Sequence, residues 1–255
     1  MRVLVCGKGG SGKSTVAALL ARLLVQRGWR VLVVDMDESN QGLHRFLGLT
    51  RPVEVLDDLG GKAGLREKLK PAFPGAGPGP DLLKNNTGID DLPVQWRSQS
   101  GGLSLLAIGK IHDFAEGCAC PMGALARLVL SRLALGPKDI VIVDTSAGVE
   151  HFGRSIDGLC DLLVAVVDPT YESLTLAQRL ESLAAGARTD IRFVFNKVGP
   201  QVESIMEERF ASAKVVARVG YDQRFFMAGL EGKAIDTGWQ DIAPLCRLVE
   251  DHCAT

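Results

Sequence analysis

The residues with the clearest chemistry lie near the start of the chain, in a short glycine-rich loop that carries two lysines. The loop reads Gly7-Lys8-Gly9-Gly10-Ser11-Gly12-Lys13-Ser14-Thr15, after an apolar run and before a helical pattern. Glycines in such a loop let backbone N–H groups point at phosphate oxygens. Lys13 would neutralise the β- and γ-phosphates, and the Ser14 hydroxyl would ligate Mg²⁺. The sequence therefore predicts a nucleotide phosphate site, and it adds Lys8, which phosphate binding alone does not require.

Carboxylates follow two apolar runs that are predicted to be strands, at the carboxyl edge of the sheet. Asp37 lies just after the run 31–35, and Asp144 ends the run 140–143. We interpret Asp37 as the residue that orients the attacking water and Asp144 as the carboxylate that binds Mg²⁺ through water. The backbone of Gly148 would sense the γ-phosphate. The alternative for either acid is a capping or solvated carboxylate at a strand end.

A third segment bears on the choice of base. The sequence Asn196-Lys197-Val198-Gly199 resembles the Asn-Lys-x-Asp sequence with which GTPases bind guanine, but Gly199 replaces the aspartate that accepts guanine's protons. A missing hydrogen-bond partner of this kind discriminates strongly between ligands. The Asn196 amide would still serve N6 and N7 of adenine, so we predict ATP, with Asn196 and Lys197 at the nucleotide. Tyr221 and Asp222 are weaker candidates for bordering the base.

These motifs are separated by short apolar segments that alternate with helical patterns. Strands are predicted at residues 3–6, 31–35, 103–108, 140–143, 162–167, 192–195 and 215–219. Helices are predicted at residues 13–27, 122–135, 174–185, 201–211 and 241–253. Fully apolar strands between helices indicate a parallel sheet that is covered on both faces. We therefore predict an α/β fold with a doubly wound, mostly parallel sheet, which binds its ligands at the carboxyl ends of the strands.

The length and charge of the chain exclude several classes of function. The chain has 255 residues, and its 29 basic and 30 acidic side chains give a net charge of −1. This balance provides no general attraction to nucleic acid or anionic lipid. No apolar run approaches the ~20 residues of a membrane span, and Met1 leads directly into a predicted strand rather than a signal peptide. We expect a cytoplasmic protein with no nucleic-acid or membrane partner.

We expect one domain over residues 1–255, long for a single domain but ordinary for an α/β sheet with its crossover helices. Residues 60–102 interrupt the alternation, because they are rich in glycine and proline, above all at 71–80. Prolines and glycines at that density block regular structure. We interpret this region as a tolerated surface insertion, and a partner-binding or mobile segment is the alternative.

Two of the six cysteines lie two residues apart at the start of a predicted helix. They occur in Gly117-Cys118-Ala119-Cys120-Pro121, where Pro121 suits the first helical position. Residues two apart in an extended segment project the same way, so Cys118 and Cys120 would bind one ion together. Two thiolates are too few for Zn²⁺ or nickel, but a two-fold axis nearby would bring four together. A buried structural pair and a redox disulfide are the alternatives that the spacing leaves open.

The loop, the pair Asp35-x-Asp37 and the segment 144–148 together resemble the MinD, ParA and nitrogenase iron protein group of P-loop ATPases. The resemblance spans essentially the whole chain. In that group two protomers face each other across two ATP molecules, and the signature lysine reaches into the partner's active site. The resemblance implies a homodimer that hydrolyses ATP to ADP and phosphate with Mg²⁺. It also implies that Lys8 contacts phosphates in the partner's site and acts in catalysis with Lys13 and Asp37.

Three segments, 109–111, 116–121 and 144–154, together resemble the CooC-type ATPases that help mature nickel carbon monoxide dehydrogenase. In that family a Cys-x-Cys pair binds metal at the dimer interface, and ATP binding and hydrolysis accompany nickel delivery. The resemblance implies that Cys118 and Cys120 bind Ni²⁺, or Zn²⁺, between two protomers. The client would be carbon monoxide dehydrogenase or a related nickel enzyme. His112 and Glu116 are possible accessory ligands, although a structural role is the simpler reading of each.

Other members of the larger group supply the rival hypotheses. A reductase like the nitrogenase iron protein would need a cluster cysteine shortly after the second switch segment, where this chain has His151 and no cysteine. A membrane regulator like MinD would need a basic amphipathic C-terminal helix. The tail 241–255 has Arg247 as its only lysine or arginine. A DNA-partitioning ATPase like ParA predicts salt-sensitive DNA binding.

Overall fold

One mostly parallel sheet forms the centre of the computed structural model, which describes residues 1–69, 82–110, 120–148, 156–236 and 239–254. Its strands are β1 (Arg2–Gly7), β2 (Arg30–Asp35), β3 (Arg97–Ser100), β4 (Leu103–Ala107), β5 (Asp139–Asp144), β6 (Leu162–Val167), β7 (Asp190–Val198) and β8 (Val215–Gly220). They lie in the order β3-β4-β2-β5-β1-β6-β7-β8. Neighbouring strands are parallel, except that β3 and β4 are antiparallel.

Helices connect the strands and cover the sheet on both faces. They are α1 (Lys13–Gln26), α2 (Leu43–Leu47), α3 (Val55–Asp58), α4 (Gly61–Leu69), α5 (Cys120–Arg132), α6 (Tyr171–Ala187), α7 (Pro200–Glu207), α8 (Gln223–Glu231) and α9 (Trp239–Ala254). One core cluster joins α1 and α9 to the sheet, and another joins α5 and α6 to its opposite face. Because both faces are covered, successive residues of β1 are all apolar: Val3 and Val5 face one cluster, Leu4 and Cys6 the other.

The predicted doubly wound α/β fold is therefore confirmed. The seven predicted strands correspond to β1, β2 and β4 to β8, and the five predicted helices to α1, α5, α6, α7 and α9, with shifts at their ends. The largest shift is in α7, which was predicted to end at residue 211 and ends at Glu207. The chain turns there, and the Phe210 ring packs 4.5 Å from that of Phe193 in β7.

The expectation that glycine and proline block regular structure throughout residues 60–102 was wrong for the part that the structure describes. Residues Gly61–Leu69 form α4, and Arg97–Ser100 form the antiparallel edge strand β3. Between them, Ile89 and Trp96 are buried in the core cluster that contains α5. The densest prolines and glycines, at 71–80, lie outside the described residues. The high glycine and proline content of the region as a whole therefore hid the apolar residues on either side of 71–80, which form regular structure and pack in the core.

The last helix, α9, belongs to the core. Ile242, Leu245, Cys246 and Val249 are buried against the sheet and α1. Within the described ranges, no helix is both long enough and apolar enough to cross a lipid bilayer. The apolar face of α9 is therefore used inside the protein.

Candidate nucleotide-binding site

The glycine-rich loop joins β1 to α1 at the carboxyl edge of the sheet. At two positions of the loop only glycine fits, because neighbouring atoms lie too close for a side chain and because φ is positive. A Cβ on Gly7 would clash with the Val166 carbonyl oxygen, and a Cβ on Gly12 would clash with the Asn196 side-chain amide. Their φ angles are 142° and 97°, which L side chains rarely adopt. The loop is thus pressed against β6 and the end of β7, and its shape is set by them.

The loop leads directly into the first turn of α1, so its backbone N–H groups are available to an anion. Six loop residues line a cleft of about 550 Å³: Gly9, Gly10, Gly12, Lys13, Ser14 and Thr15. Lys13 is buried, and its ammonium donates to the Lys8 carbonyl oxygen at 3.3 Å. The buried Ser11 hydroxyl has no hydrogen-bond partner among the described residues. This arrangement of positive charge and unused donors suits phosphate.

Ser14 and Asp144 meet beneath the loop, as the sequence predicts for an Mg²⁺ site. The Ser14 Oγ donates to Asp144 Oδ2 at 2.6 Å, and the Asn40 Nδ2 donates to Ser14 Oγ at 2.8 Å. Asp144 is fully buried, and its Oδ1 has no hydrogen-bond partner within the described ranges. A buried carboxylate oxygen without a partner, next to a hydroxyl, is a donor set that fits a hard divalent cation.

Burial dominates the electrostatics of Asp144. Desolvation, reinforced by the neighbouring Asp35 and Asp37 carboxylates, raises the pKa of Asp144 to about 7, although the Ser14 hydrogen bond and Lys13 oppose the shift. The register of the sheet explains the crowding, because Asp35 at the end of β2 lies directly beside Asp144 at the end of β5. Three carboxylates thus converge where a cation would be most stabilising.

Asp37 lies in the cleft wall, and one of its carboxylate oxygens is held by hydrogen bonds within a turn. Its Oδ1 accepts from the Ser39 N–H at 3.0 Å, the Ser39 Oγ at 2.6 Å and the Asn40 N–H at 3.3 Å. These contacts leave its Oδ2 outside that turn. Asp35 does not line the cleft; it is buried behind Asp37, where desolvation raises its pKa to about 6 against the pull of Lys110. Asn40 and Lys110 were missed in the sequence, because their partners come from other elements.

Lys8 is half-buried and differs from Lys13 in its contacts. Within the described ranges, no hydrogen bond or salt bridge involves the Lys8 ammonium, whereas its carbonyl oxygen accepts from Ser11 N–H at 3.1 Å and from Lys13. Gly148, predicted to sense the γ-phosphate, donates its N–H to the Gly7 carbonyl at 3.3 Å. The roles of Lys8 and Gly148 stay predictions.

The segment predicted to hold the base mainly supports the loop. The Asn196 Nδ2 donates to the Ser11 carbonyl at 2.7 Å, and the Lys197 Nζ donates to the Gly10 carbonyl at 2.6 Å. The Asn196 amide that we assigned to adenine therefore donates one hydrogen bond to the phosphate loop, and both residues remain part of the cleft wall. Sequence spacing could not reveal this, because the loop carbonyls come from the other end of the chain.

Aromatic side chains form the rest of the cleft. Tyr221 and Asp222 line it, as predicted, together with three residues that sequence reasoning missed: Phe46, Phe225 and Phe226. Tyr221 is 72% exposed and Phe226 is 60% exposed. Large exposed aromatic rings beside a phosphate loop are suited to stacking on a base. The signal in the sequence was the pair of phenylalanines that closely follows Tyr221.

The structure describes only one of the two cysteines that were predicted to bind metal. Cys118, with His112 and Glu116, lies outside the described residues, and Cys120 begins α5. Among the residues that are described, no group of three or more histidine, cysteine or acidic side chains is arranged to hold a metal ion. The shared metal site therefore stays a prediction.

Comparison with known proteins places the chain in a family. The model of the CobQ/CobB/MinD/ParA nucleotide binding domain matches residues 3–235. The chain belongs to the CobQ/CobB/MinD/ParA family. It is 39% identical to an uncharacterized ATP-binding protein of Methanocaldococcus jannaschii, over 98% of this chain and 99% of that protein. It is 33% identical to the carbon monoxide dehydrogenase accessory protein CooC of Rhodospirillum rubrum, over 97% of this chain and 92% of that protein.

Solved structures give the same fold. The septum site-determining protein MinD of Pyrococcus horikoshii, complexed with Mg-ADP, is similar with a TM-score of 0.69 and 21% identity, over 98% of this chain and 96% of that chain. The CobQ/CobB/MinD/ParA family consists of nucleotide-binding proteins that are typically ATPases and commonly dimerise. Membership implies ATP or ADP and Mg²⁺ as ligands, and the predicted resemblance to the MinD and ParA group is confirmed.

Replacing Phe226 by alanine is expected to weaken ATP binding about 5- to 10-fold, which is the lower end of what stacking on one base contributes. The reason is that Phe226 lies in the cleft wall beyond the phosphate loop. The measurement is the ATP Kd by isothermal titration. Leu230→Ala is the matched control, because Leu230 is 71% exposed on the same helix and is not part of the cleft. Equal affinities for both variants would show that the base lies elsewhere.

Proposed function

We propose that this protein is an ATP-dependent metallochaperone, which binds nickel between two protomers and assists its insertion into carbon monoxide dehydrogenase. The observation that carries the ATPase part is the Ser14–Asp144 pair below the glycine-rich loop, where the buried Asp144 Oδ1 has no hydrogen-bond partner among the described residues. A buried carboxylate is costly unless it is paired, so this pair suits a cation that is bound together with phosphate.

Each side chain of the site has a part in hydrolysis. Lys13 neutralises the terminal phosphates, while Ser14 and Asp144 would hold Mg²⁺. Bound there, Mg²⁺ supplies neutralisation of the charge that develops on the phosphate oxygens. Asp37, held by its turn with Ser39 and Asn40, orients the attacking water through its Oδ2. Lys8 reaches the phosphates of the partner chain, so nucleotide binding and dimer geometry are coupled.

The nickel part of the proposal has two supports. The first is the 33% identity to the accessory protein CooC over nearly all of both chains. The second is the Cys118-x-Cys120 pair of the sequence, whose second cysteine begins α5. Two thiolates from each protomer would complete one four-donor site. Hydrolysis would then control the metal site by controlling the geometry of the dimer.

A positioning ATPase like MinD is the second candidate, and it is favoured by the fold likeness and by the 25% identity to the flagellum site-determining protein YlxH of Helicobacter pylori. The helix α9 does not have the features of a membrane anchor. The apolar side chains Ile242, Leu245 and Val249 of α9 are buried in the core, and α9 carries Asp241, Glu250 and Asp251. A membrane-binding helix would instead present its apolar face and basic residues to lipid.

Converting both Cys118 and Cys120 to serine is expected to abolish nickel binding, which would otherwise reach about one ion per dimer because two thiolate pairs form one site. The nucleotide affinity should not change. Nickel is measured by elemental analysis after gel filtration with ADP. Cys253→Ser, which alters a half-buried cysteine of α9, is the control and should keep its nickel.

Full nickel stoichiometry in the double variant would contradict the metallochaperone proposal. The client is tested separately, by maturing apo-carbon monoxide dehydrogenase at limiting nickel with and without the protein and ATP. If the recovered dehydrogenase activity does not depend on the protein, the client assignment is wrong. A broad absorption near 400 nm after iron and sulfide reconstitution would instead favour an iron–sulfur reductase.

A further inference from the structure

Lys110 is a buried lysine that the roles described so far do not use. It follows β4 directly, and only 3% of it is exposed. A buried ammonium is costly unless it is paired and hydrogen-bonded. The Lys110 Nζ donates to Asp35 Oδ2 at 2.7 Å and also to the Asp37 carbonyl oxygen. Its backbone N–H donates to the Glu54 carboxylate at 2.8 Å, which fixes the main chain at the same point.

These contacts close a ring around the backbone of Asp37. The Asp35 carboxylate accepts from the Asp37 N–H through Oδ1 at 3.1 Å and from the Lys110 ammonium through Oδ2. The ammonium also holds the Asp37 carbonyl. Both polar backbone groups of Asp37 are therefore held by Asp35 and Lys110, which do not line the cleft. The direction of the Asp37 side chain depends on this backbone.

We propose that Lys110 is a positioning residue, which holds the Asp37 carboxylate in the geometry that orients water for ATP hydrolysis. This inference rests on the ATPase activity proposed above. Lys110 does not line the cleft and acts only through Asp37. A misplacement of about 1 Å at a reacting group costs about 10²-fold in rate. Loss of the lysine should accordingly lower kcat while nucleotide binding, which uses the loop, is kept.

The test uses the double variant Lys110→Met with Asp35→Asn. The pair of substitutions removes one cation and one carboxylate together, so it leaves no unpaired buried carboxylate and the protein keeps its net charge. The asparagine oxygen can still accept from the Asp37 N–H. The donor to the Asp37 carbonyl is lost. We expect kcat to fall about 10²-fold, with the ADP Kd and the melting temperature close to those of the wild type.

Arg30→Met with Asp139→Asn is the matched control. Arg30 begins the same strand, β2, and its Nε contacts Asp139 Oδ1 at 2.6 Å, at the opposite end of the sheet from the cleft. This variant also removes one cation and one carboxylate, but it should keep the wild-type kcat. A purely structural role for Lys110 would lower stability or nucleotide affinity in step with kcat.

Asp37→Asn separates failure of the inference from failure of the proposed function. If Asp37→Asn loses hydrolysis and Lys110→Met with Asp35→Asn keeps it, the positioning role is wrong and the ATPase proposal stands. If the wild type does not hydrolyse ATP in the presence of Mg²⁺, both are overturned. A fall in kcat for both variants, with unchanged ADP Kd and a control at the wild-type rate, supports the inference.

Discussion

Replacing Lys8 by alanine is expected to lower kcat for ATP by about 10³-fold or more, the effect of removing a cation supplied in trans in other phosphoryl-transfer enzymes. Binding of ADP to a single chain should change little, because Lys13 serves the chain's own phosphates and the Lys8 ammonium forms no hydrogen bond or salt bridge among the described residues. The measurements are kcat at saturating ATP and the ADP Kd. Lys13→Ala should show the opposite pattern, with nucleotide binding itself lost.

A mixing experiment distinguishes action in trans from action within one chain. A dimer of one Lys8→Ala chain and one Asp37→Asn chain has one complete site, in which Asp37 comes from the first chain and Lys8 from the second. Random mixing of equal amounts should restore about a quarter of the wild-type rate, because half of the dimers then carry one active site of two. If the mixture is no faster than the separate variants, Lys8 acts within its own chain or not in catalysis.

The parts of the site that could be predicted from the sequence are those whose chemistry is local. The glycines and lysines of the loop lie in one short segment, and Asp37 and Asp144 follow apolar strands of one parallel sheet. Strand ends meet at one edge whatever the details of packing. The sheet and the positions of its carboxylates could therefore be predicted.

The parts that could not be predicted depend on contacts between distant segments. Asn196 carries the right amide for a base, but its Nδ2 donates to the Ser11 carbonyl, 185 residues away. Lys110 is one basic residue among 29, and only its position beside Asp35, 75 residues earlier, reveals it. Phe46 reaches the cleft from α2, a helix too short to leave a periodic pattern. The role of each of these three residues depends on its position in the folded protein, which the sequence alone does not give.

Replacing Asp144 by asparagine is expected to weaken Mg²⁺ binding in the presence of ADP about 10- to 100-fold, as loss of a carboxylate that acts through a water or a ligand typically does. The variant keeps an acceptor for the Ser14 hydroxyl, so the loop should retain its shape. The Mg²⁺ dependence of ADP binding gives the measurement. Asp139→Asn, at the other end of β5, is the control, and its Mg²⁺ dependence should match that of the wild type.

The same substitution should change the pH dependence of stability, and the sign follows from the raised pKa of Asp144. Because burial raises this pKa from 3.8 to about 7, the folded state holds a proton that the unfolded state has released between these values. Asp144 therefore lowers the free energy of unfolding as pH rises through that window, and the penalty is complete above about pH 7. Without Mg²⁺ and nucleotide, Asp144→Asn should gain stability over the wild type on going from about pH 5 to about pH 8.

Urea unfolding at the two pH values measures this difference, and titrating groups that do not interact with residue 144 cancel between the two proteins. Saturating Mg²⁺ and ADP should shift the stability difference at about pH 8 in favour of the wild type, because ligand binding stabilises the wild type more than a variant with weaker affinity. A stability difference that is the same at both pH values would mean that Asp144 is ionised throughout. In that case its unpartnered oxygen would already be compensated by the protein, and the case for a cation at this site would fail with it.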